Sequence, residues 1–311
     1  MKDLSKGLTI LGACLCFWPQ FPSWGALLLG MVIALTLGNP FFSRTQKLTS
    51  RFLAIAIIGM GCGMNLQTVA QTGMEGLGYT VTGITLTFLV GSLLGKLLKV
   101  ERDTSLLITS GTAICGGSAI AAVASAIRPK NQEVSIALAT VFCLNALGLL
   151  IFPPIGHYFS LDQNQFGLWS ALAIHDTSSV VGSTLQYGET ALKVGTTVKL
   201  ARALWIVPLT LLIGFTRSRQ EPSGKIKKPW FILGFLIAAT VMTFVPALNP
   251  IGQRIEWVAK RLLVLTLFLI GANLTSQTLK SVGFKPFLMG VVLWINVAST
   301  VLFAILQGFI A

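Results

Sequence analysis

The chain has 311 residues, 53% of them hydrophobic and only 11% charged, where a soluble domain carries roughly a quarter charged residues. That balance excludes a single water-soluble core and, at ~20 residues per crossing, suits about nine to eleven membrane passages. The net charge of +13 does not indicate nucleic acid, because Lys and Arg stand in short clusters between apolar runs, without aromatic interleaving or a recognised binding motif.

At the N-terminus, Lys2 and Lys6 precede an apolar run from Leu8 to Trp18, which has the outline of a signal peptide. No small-x-small cleavage site follows, and the run passes through Pro19 and Pro22 into a second apolar stretch, so a short, retained first span is expected. Apolar segments follow one another at about 8–18, 23–40, 51–68, 77–98, 104–127, 132–156, 165–186, 189–216, 230–248, 257–275 and 284–310. In hydrocarbon each backbone amide must be satisfied within its own segment, and the segments lack the polar/apolar alternation of a barrel. The expected fold class is therefore an all-α polytopic membrane protein, with residues 1–311 forming one transporter domain.

The linker Arg217–Lys228 is too basic to cross a bilayer easily and marks the cytoplasmic side, as do Arg44, Lys47 and Arg51 and then Lys96, Lys99 and Arg102. The stretches 66–74 and 158–168 carry no Lys or Arg and are expected to be outward-facing loops.

The chain also resembles itself. Asn39-Pro40 recurs as Asn249-Pro250, 210 residues on, and Gly63-Met64-Asn65-Leu66 recurs as Gly271-Ala272-Asn273-Leu274, 208 residues on. Gly83 meets Gly290 in the same register, which makes outer triplets of 23–98 and 230–310. A second pairing sets Ala113-Ile114-Cys115-Gly116-Gly117-Ser118 against Ala173-Ile174-His175-Asp176-Thr177-Ser178, and Thr140-Val141 against Thr197-Val198. The inner units are then 104–156 and 165–216. Inverted repeats need an odd number of crossings between equivalent helices. If 104–127 and 165–186 re-enter on the side they left, both pairs become antiparallel and the charge pattern is kept. That arrangement has nine spans and two re-entrant or broken segments, with Arg254, Lys260 and Arg261 on the outside against the charge rule.

Helices broken inside the membrane expose free amide donors at half-helix N-termini, where the dipole favours an anion. Gly116 and Gly117 permit such a break, and Ser118 adds a hydroxyl donor; close helix packing on small residues is the other reading of this run. Its counterpart holds His175 and Asp176, an ionisable pair suited to proton or cation coupling, followed by the hydroxyls of Thr177, Ser178 and Ser179. Asp176 would also serve as an N-cap for the half-helix behind it. Asn65 and Asn273 are equivalent positions suited either to substrate contact or to interhelical hydrogen bonding, and Arg202, sharing a face with Lys199, is placed to neutralise an anion. The five cysteines, Cys14, Cys16, Cys62, Cys115 and Cys143, lie in apolar surroundings without a CxxC pair, so neither a disulfide framework nor a metal site is expected.

At these residues the chain resembles the bacterial YeiH family, whose members are described as sulfate exporters. The resemblance rests on Ile114-Cys115-Gly116-Gly117-Ser118-Ala119-Ile120, on Ala173-Ile174-His175-Asp176-Thr177-Ser178-Ser179-Val180-Val181-Gly182, and on Lys260-Arg261 through Gly271-Ala272-Asn273-Leu274. It implies a multi-pass protein of the bacterial inner membrane, related to inverted-repeat carriers of the cation/proton antiporter and bile-acid transporter type. The expected function is secondary transport, as an exporter, of a small anion such as sulfate or a sulfonate, coupled to a proton or cation gradient. A passive anion channel and a membrane-embedded enzyme using His175 and Asp176 are the alternatives. No GxxxxGK[ST] run is present, so no ATP-driven mechanism and no cofactor is expected. The expected partners are the lipid bilayer, the anion, the coupling ion and a second copy in a homodimer.

Overall fold

A computed structural model describes residues 2–217, 230–273 and 283–310, and within them every regular element is helical. The helices are α1 (Lys2–Leu15), α2 (Ser23–Thr36), α3 (Phe42–Gly61), α4 (Leu66–Leu97), α5 (Arg102–Ala113), α6 (Gly117–Ile127) and α7 (Asn131–Tyr158). They continue as α8 (Gln163–Ala173), α9 (Thr177–Tyr187), α10 (Glu189–Ala203), α11 (Ile206–Arg217), α12 (Trp230–Phe244), α13 (Asn249–Ala272) and α14 (Phe284–Leu306). Gly78–Leu97, Gln132–Tyr158 and Phe284–Leu306 are each long and apolar enough to cross a membrane. Leu89, Leu93, Ile151 and Ile295, all on these helices, are exposed apolar side chains of the kind a bilayer would cover.

Several expectations change. The stretch 66–74 is not a loop but the first turns of α4, because polar side chains such as Gln67 lower hydropathy without breaking a helix. The expected loop at 158–168 shrinks to the few residues between Tyr158 and Gln163, since Asp162 caps α8 by accepting from the amides of Asn164 at 2.7 Å and Gln165 at 2.9 Å. Arg254, Lys260 and Arg261 ride on α13 rather than on a loop, with Lys260 and Glu256 paired at 3.2 Å. The segment read as 189–216 is two helices, divided at Leu204–Trp205. Pro208 accounts for that division: its ring excludes the carbonyl of the residue four positions earlier, which is Leu204. The basic linker falls mostly outside the described residues, as does Leu274.

The helices group into two compact units. The first is formed by α1, α2, α3, α12, α13 and the opening turns of α4. Here α2 and α13 meet backbone to backbone: a Cβ on Gly30 would overlap the Phe268 carbonyl, and one on Gly271 would overlap the Leu27 carbonyl. Close approach on small residues replaces the hydrophobic drive that lipid cannot supply. Between α12 and α13 the chain bends by 107° through a 3-10 turn at Pro246–Leu248.

The second unit contains α4 from Thr72 on, α5 to α11, and α14. One apolar cluster centres on Phe152, Phe166, Trp169 and Trp294, with Phe152 stacked on Trp169 at 4.2 Å between ring centroids. The Trp169 indole N–H donates to the Ala298 carbonyl at 2.9 Å and ties α8 to α14. A second cluster joins Leu107 and Ile108 of α5 to Ile120 and Val123 of α6 and Val141 of α7. These clusters pack two interrupted helices, α5/α6 and α8/α9, against α7.

Candidate functional site

The first interruption spans Ile114, Cys115 and Gly116. Helix α5 closes with the Gly116 amide donating back to the Gly111 carbonyl at 2.9 Å, and Gly116 then adopts φ +65° and ψ −126° before α6 begins at Gly117. That backbone conformation is open to glycine and strained for any other residue. The second interruption spans Ile174, His175 and Asp176, after which α9 starts at Thr177. Both lie where the sequence places them.

The two interruptions touch. A Cβ on Gly116 would stand 3.4 Å from the Asp176 Cβ and 3.4 Å from the Val141 Cγ1 of α7. Four half-helix ends therefore converge beside one face of α7: the C-termini of α5 and α8 and the N-termini of α6 and α9. Each C-terminus presents unsatisfied carbonyls with a partial negative charge, and each N-terminus presents amides with a partial positive charge.

Buried cations satisfy the C-termini. Arg202, on α10 and 1% exposed, donates from Nε to the Ala113 carbonyl at 2.8 Å and from Nη2 to Thr112 at 3.5 Å. Its Nη1 donates to the carbonyls of Ala171, at 3.3 Å, and Leu172. Lys199, one turn earlier on α10, donates from Nζ to Ala171 at 3.2 Å and to Ile174 at 2.6 Å. A planar guanidinium with five donors can serve two helix ends at once, and an ammonium cannot span them in the same way. The sequence assigns Arg202 to anion neutralisation; among the described residues its hydrogen bonds go to backbone carbonyls.

The two N-termini differ. Asp176 caps α9: its Oδ2 accepts from the amides of Ser178 at 3.0 Å and Ser179 at 3.3 Å, and also from the Ser178 hydroxyl. The N-cap of α6, Gly116, has no side chain to accept from its leading amides; the Ala119 amide is met instead by the Cys115 thiol, and Ser118 is exposed. Thr177, Ser178 and Ser179 are buried. His175 is also buried, and neither ring nitrogen has a hydrogen-bond partner among the described residues.

Asn145 was not singled out from the sequence. It lies in the middle of α7, buried, and its Oδ1 accepts from the amides of His175 at 3.2 Å and Asp176 at 3.3 Å. The available signal was a carboxamide inside an otherwise apolar span, 57 residues before Arg202, the same offset that relates Thr140 to Thr197.

Asn65 and Asn273 belong to the first unit and have separate partners. Asn65 is exposed and accepts from the Gln67 amide at 2.8 Å, near the start of α4. Asn273 accepts from the Thr45 hydroxyl at 2.6 Å and donates to Thr49 at 3.2 Å, while Asn39 donates to the Ala272 carbonyl at 2.9 Å. The interhelical role foreseen for Asn273 is thus present, joining the end of α13 to α3.

The family described as conserved hypothetical protein 698 matches residues 4–290, a span that includes both interruptions, Asn145, Lys199 and Arg202. The chain belongs to this family. That is the resemblance carried by the glycine run and the His-Asp-Thr-Ser-Ser run. It is 63% identical to a UPF0324 membrane protein of Bdellovibrio bacteriovorus over 304 residues, covering 96% of this chain and 94% of the relative. A UPF0324 membrane protein of Geobacter sulfurreducens is 45% identical, covering 98% and 97% of the two chains. One from Vibrio parahaemolyticus is 46% identical, covering 96% of each. No solved structure matches the chain. The chain is accordingly a helical membrane protein of the UPF0324 family.

Proposed function

We propose that this protein is a secondary carrier of a bacterial inner membrane that exports a small anion, such as sulfate or a sulfonate, coupled to a proton or cation gradient. The observation that carries this reading is the pair of touching helix interruptions whose four ends are treated unequally. The two C-termini are satisfied by Lys199 and Arg202, the α9 N-terminus is capped by the Asp176 carboxylate, and at the α6 N-terminus only the neutral Cys115 thiol meets an amide, that of Ala119. Discontinuous helices meeting in this way form the ligand sites of inverted-repeat carriers, with N-termini aimed at anionic groups. The buried guanidinium of Arg202, always charged, also favours an anion nearby.

Asp176 suits coupling. All of its hydrogen bonds among the described residues fall on Oδ2, and the field of Lys199 acts on the carboxylate. A carboxylate held by one oxygen keeps the other for a proton or a cation. The repeat reading gains support from the grouping of the helices: α2 and α3 fall in one unit with their proposed counterparts α12 and α13, while α4 and α14 both fall in the other.

The test is flux. Protein reconstituted into liposomes should show saturable sulfate or methanesulfonate flux that follows an imposed proton or sodium gradient. Sustained single-channel current in a planar bilayer would favour the channel reading, and gradient-independent turnover of a substrate in detergent the enzyme reading.

A further inference from the structure

We propose that Asn145 is a ligand for the transported anion, donating from Nδ2 into a site completed by the leading amides of α6. This rests on the carrier reading and adds the group that holds the substrate. The orientation of the Asn145 carboxamide is set by its neighbours: two backbone N–H groups, of His175 and Asp176, point at one end of it, so that end is the acceptor oxygen. The other end is then the NH2 group, with two donors. Asn145 is 4% exposed, and Nδ2 has no hydrogen-bond partner among the described residues. A buried donor left empty loses its hydration without compensation, so its retention at this position needs an acceptor from elsewhere.

The position of that donor selects the acceptor. Val141, one helical turn before Asn145 on the same face of α7, is against Gly116, from which α6 starts. Gly116 in turn is against Asp176, whose amide Asn145 holds. The free NH2 therefore ends in the crossing, where the Gly117 and Ser118 amides of α6 are the other donors without a capping side chain, the Ala119 amide being met by the Cys115 thiol. Two neutral donor groups at one crossing suit an oxygen-bearing anion, and the cations that would bind it too tightly for release are held on carbonyls: Arg202 on Ala113 and Leu172, Lys199 on Ile174. Recognition by amides and a half-helix dipole, without a direct ion pair, leaves an affinity suited to a carrier that must also let go.

The experiment uses the full-length protein in lipid nanodiscs, with sulfate and methanesulfonate titrated by calorimetry at fixed ionic strength, and gradient-driven flux measured in liposomes. Asn145→Asp keeps an acceptor for the His175 and Asp176 amides but removes the NH2 donors. Asn145→Leu removes donors and acceptor without adding charge. Melting temperature without ligand reports folding for both. The expected result is at least a tenfold weaker affinity for both anions in each folded variant, with a raised KM for flux. If Asn145 only holds the interruption together through Oδ1, Asn145→Asp binds both anions as the wild type does, and that outcome overturns the proposal. Wild-type flux with unchanged KM in a folded variant removes this inference and leaves the carrier reading standing. Wild-type protein that neither binds nor moves either anion removes both.

Discussion

Gly116 and Asp176 face one another across two separate chain interruptions: a Cβ on the glycine would lie 3.4 Å from the Asp176 Cβ. Contact at that distance leaves room for a methyl group, so the demand for glycine comes from its φ of +65° rather than from crowding. Gly116→Ala is therefore expected to fold and to be less stable by about 1–3 kcal/mol, the usual cost of a side chain in a sparsely populated backbone region. A drop in melting temperature without loss of expression checks it. An unchanged melting temperature would mean that the interruption adopts another conformation.

Asp176→Asn separates capping from coupling. Asn and Asp rank alike at the N-cap, so α9 should stay closed through the amides of Ser178 and Ser179. A coupling ion shifts a carrier between inward and outward states only by as much as it binds one state better. The variant should accordingly keep a measurable anion affinity and lose the dependence of that affinity on pH or sodium. Retention of both would reduce Asp176 to a cap.

Arg202 joins the C-termini of α5 and α8 through Ala113 and Leu172. Arg202→Leu strands those carbonyls in a dry interior, at about 1–3 kcal/mol for each group left unpaired. Arg202→Lys keeps a charge but not the fork, so melting temperatures should fall in the order wild type, Lys, Leu. Equal stability of Lys and Arg would show that one helix end, not two, needs the side chain.

Asn273 belongs to a polar cluster with Thr45, Thr49 and Asn39 in the first unit. Asn273→Ala is expected to lower stability by roughly 1–3 kcal/mol, while leaving the sulfate Kd unchanged. A tenfold change in Kd with unaltered melting temperature would return Asn273 to the substrate site.

Composition and apolar runs alone determined that the chain is a helical membrane protein, because a bilayer admits few ways to satisfy a backbone and charge density is a local property. The same local logic located both interruptions. Gly116-Gly117 cannot hold a helix well, and Asp176 followed by three hydroxyl residues reads as an N-cap wherever it occurs. Helix ends at 66–74 and 158–168 are not legible from hydropathy because it reports solvent preference, whereas helicity continues through Gln67 and, after Tyr158, resumes where Asp162 caps the start of α8. What the tertiary structure decided is which group each polar side chain serves. Arg202 and Asn145 sit 89 and 30 residues from the backbone groups they hold, Ala113 and His175. No spacing rule reaches that far, since a buried donor or acceptor takes whichever unsatisfied helix end the packing brings to it. Arg202 therefore looked like an anion ligand in the sequence and holds carbonyls in the fold, while the buried, unpartnered NH2 group of Asn145 was evident only once its oxygen had been claimed by two amides.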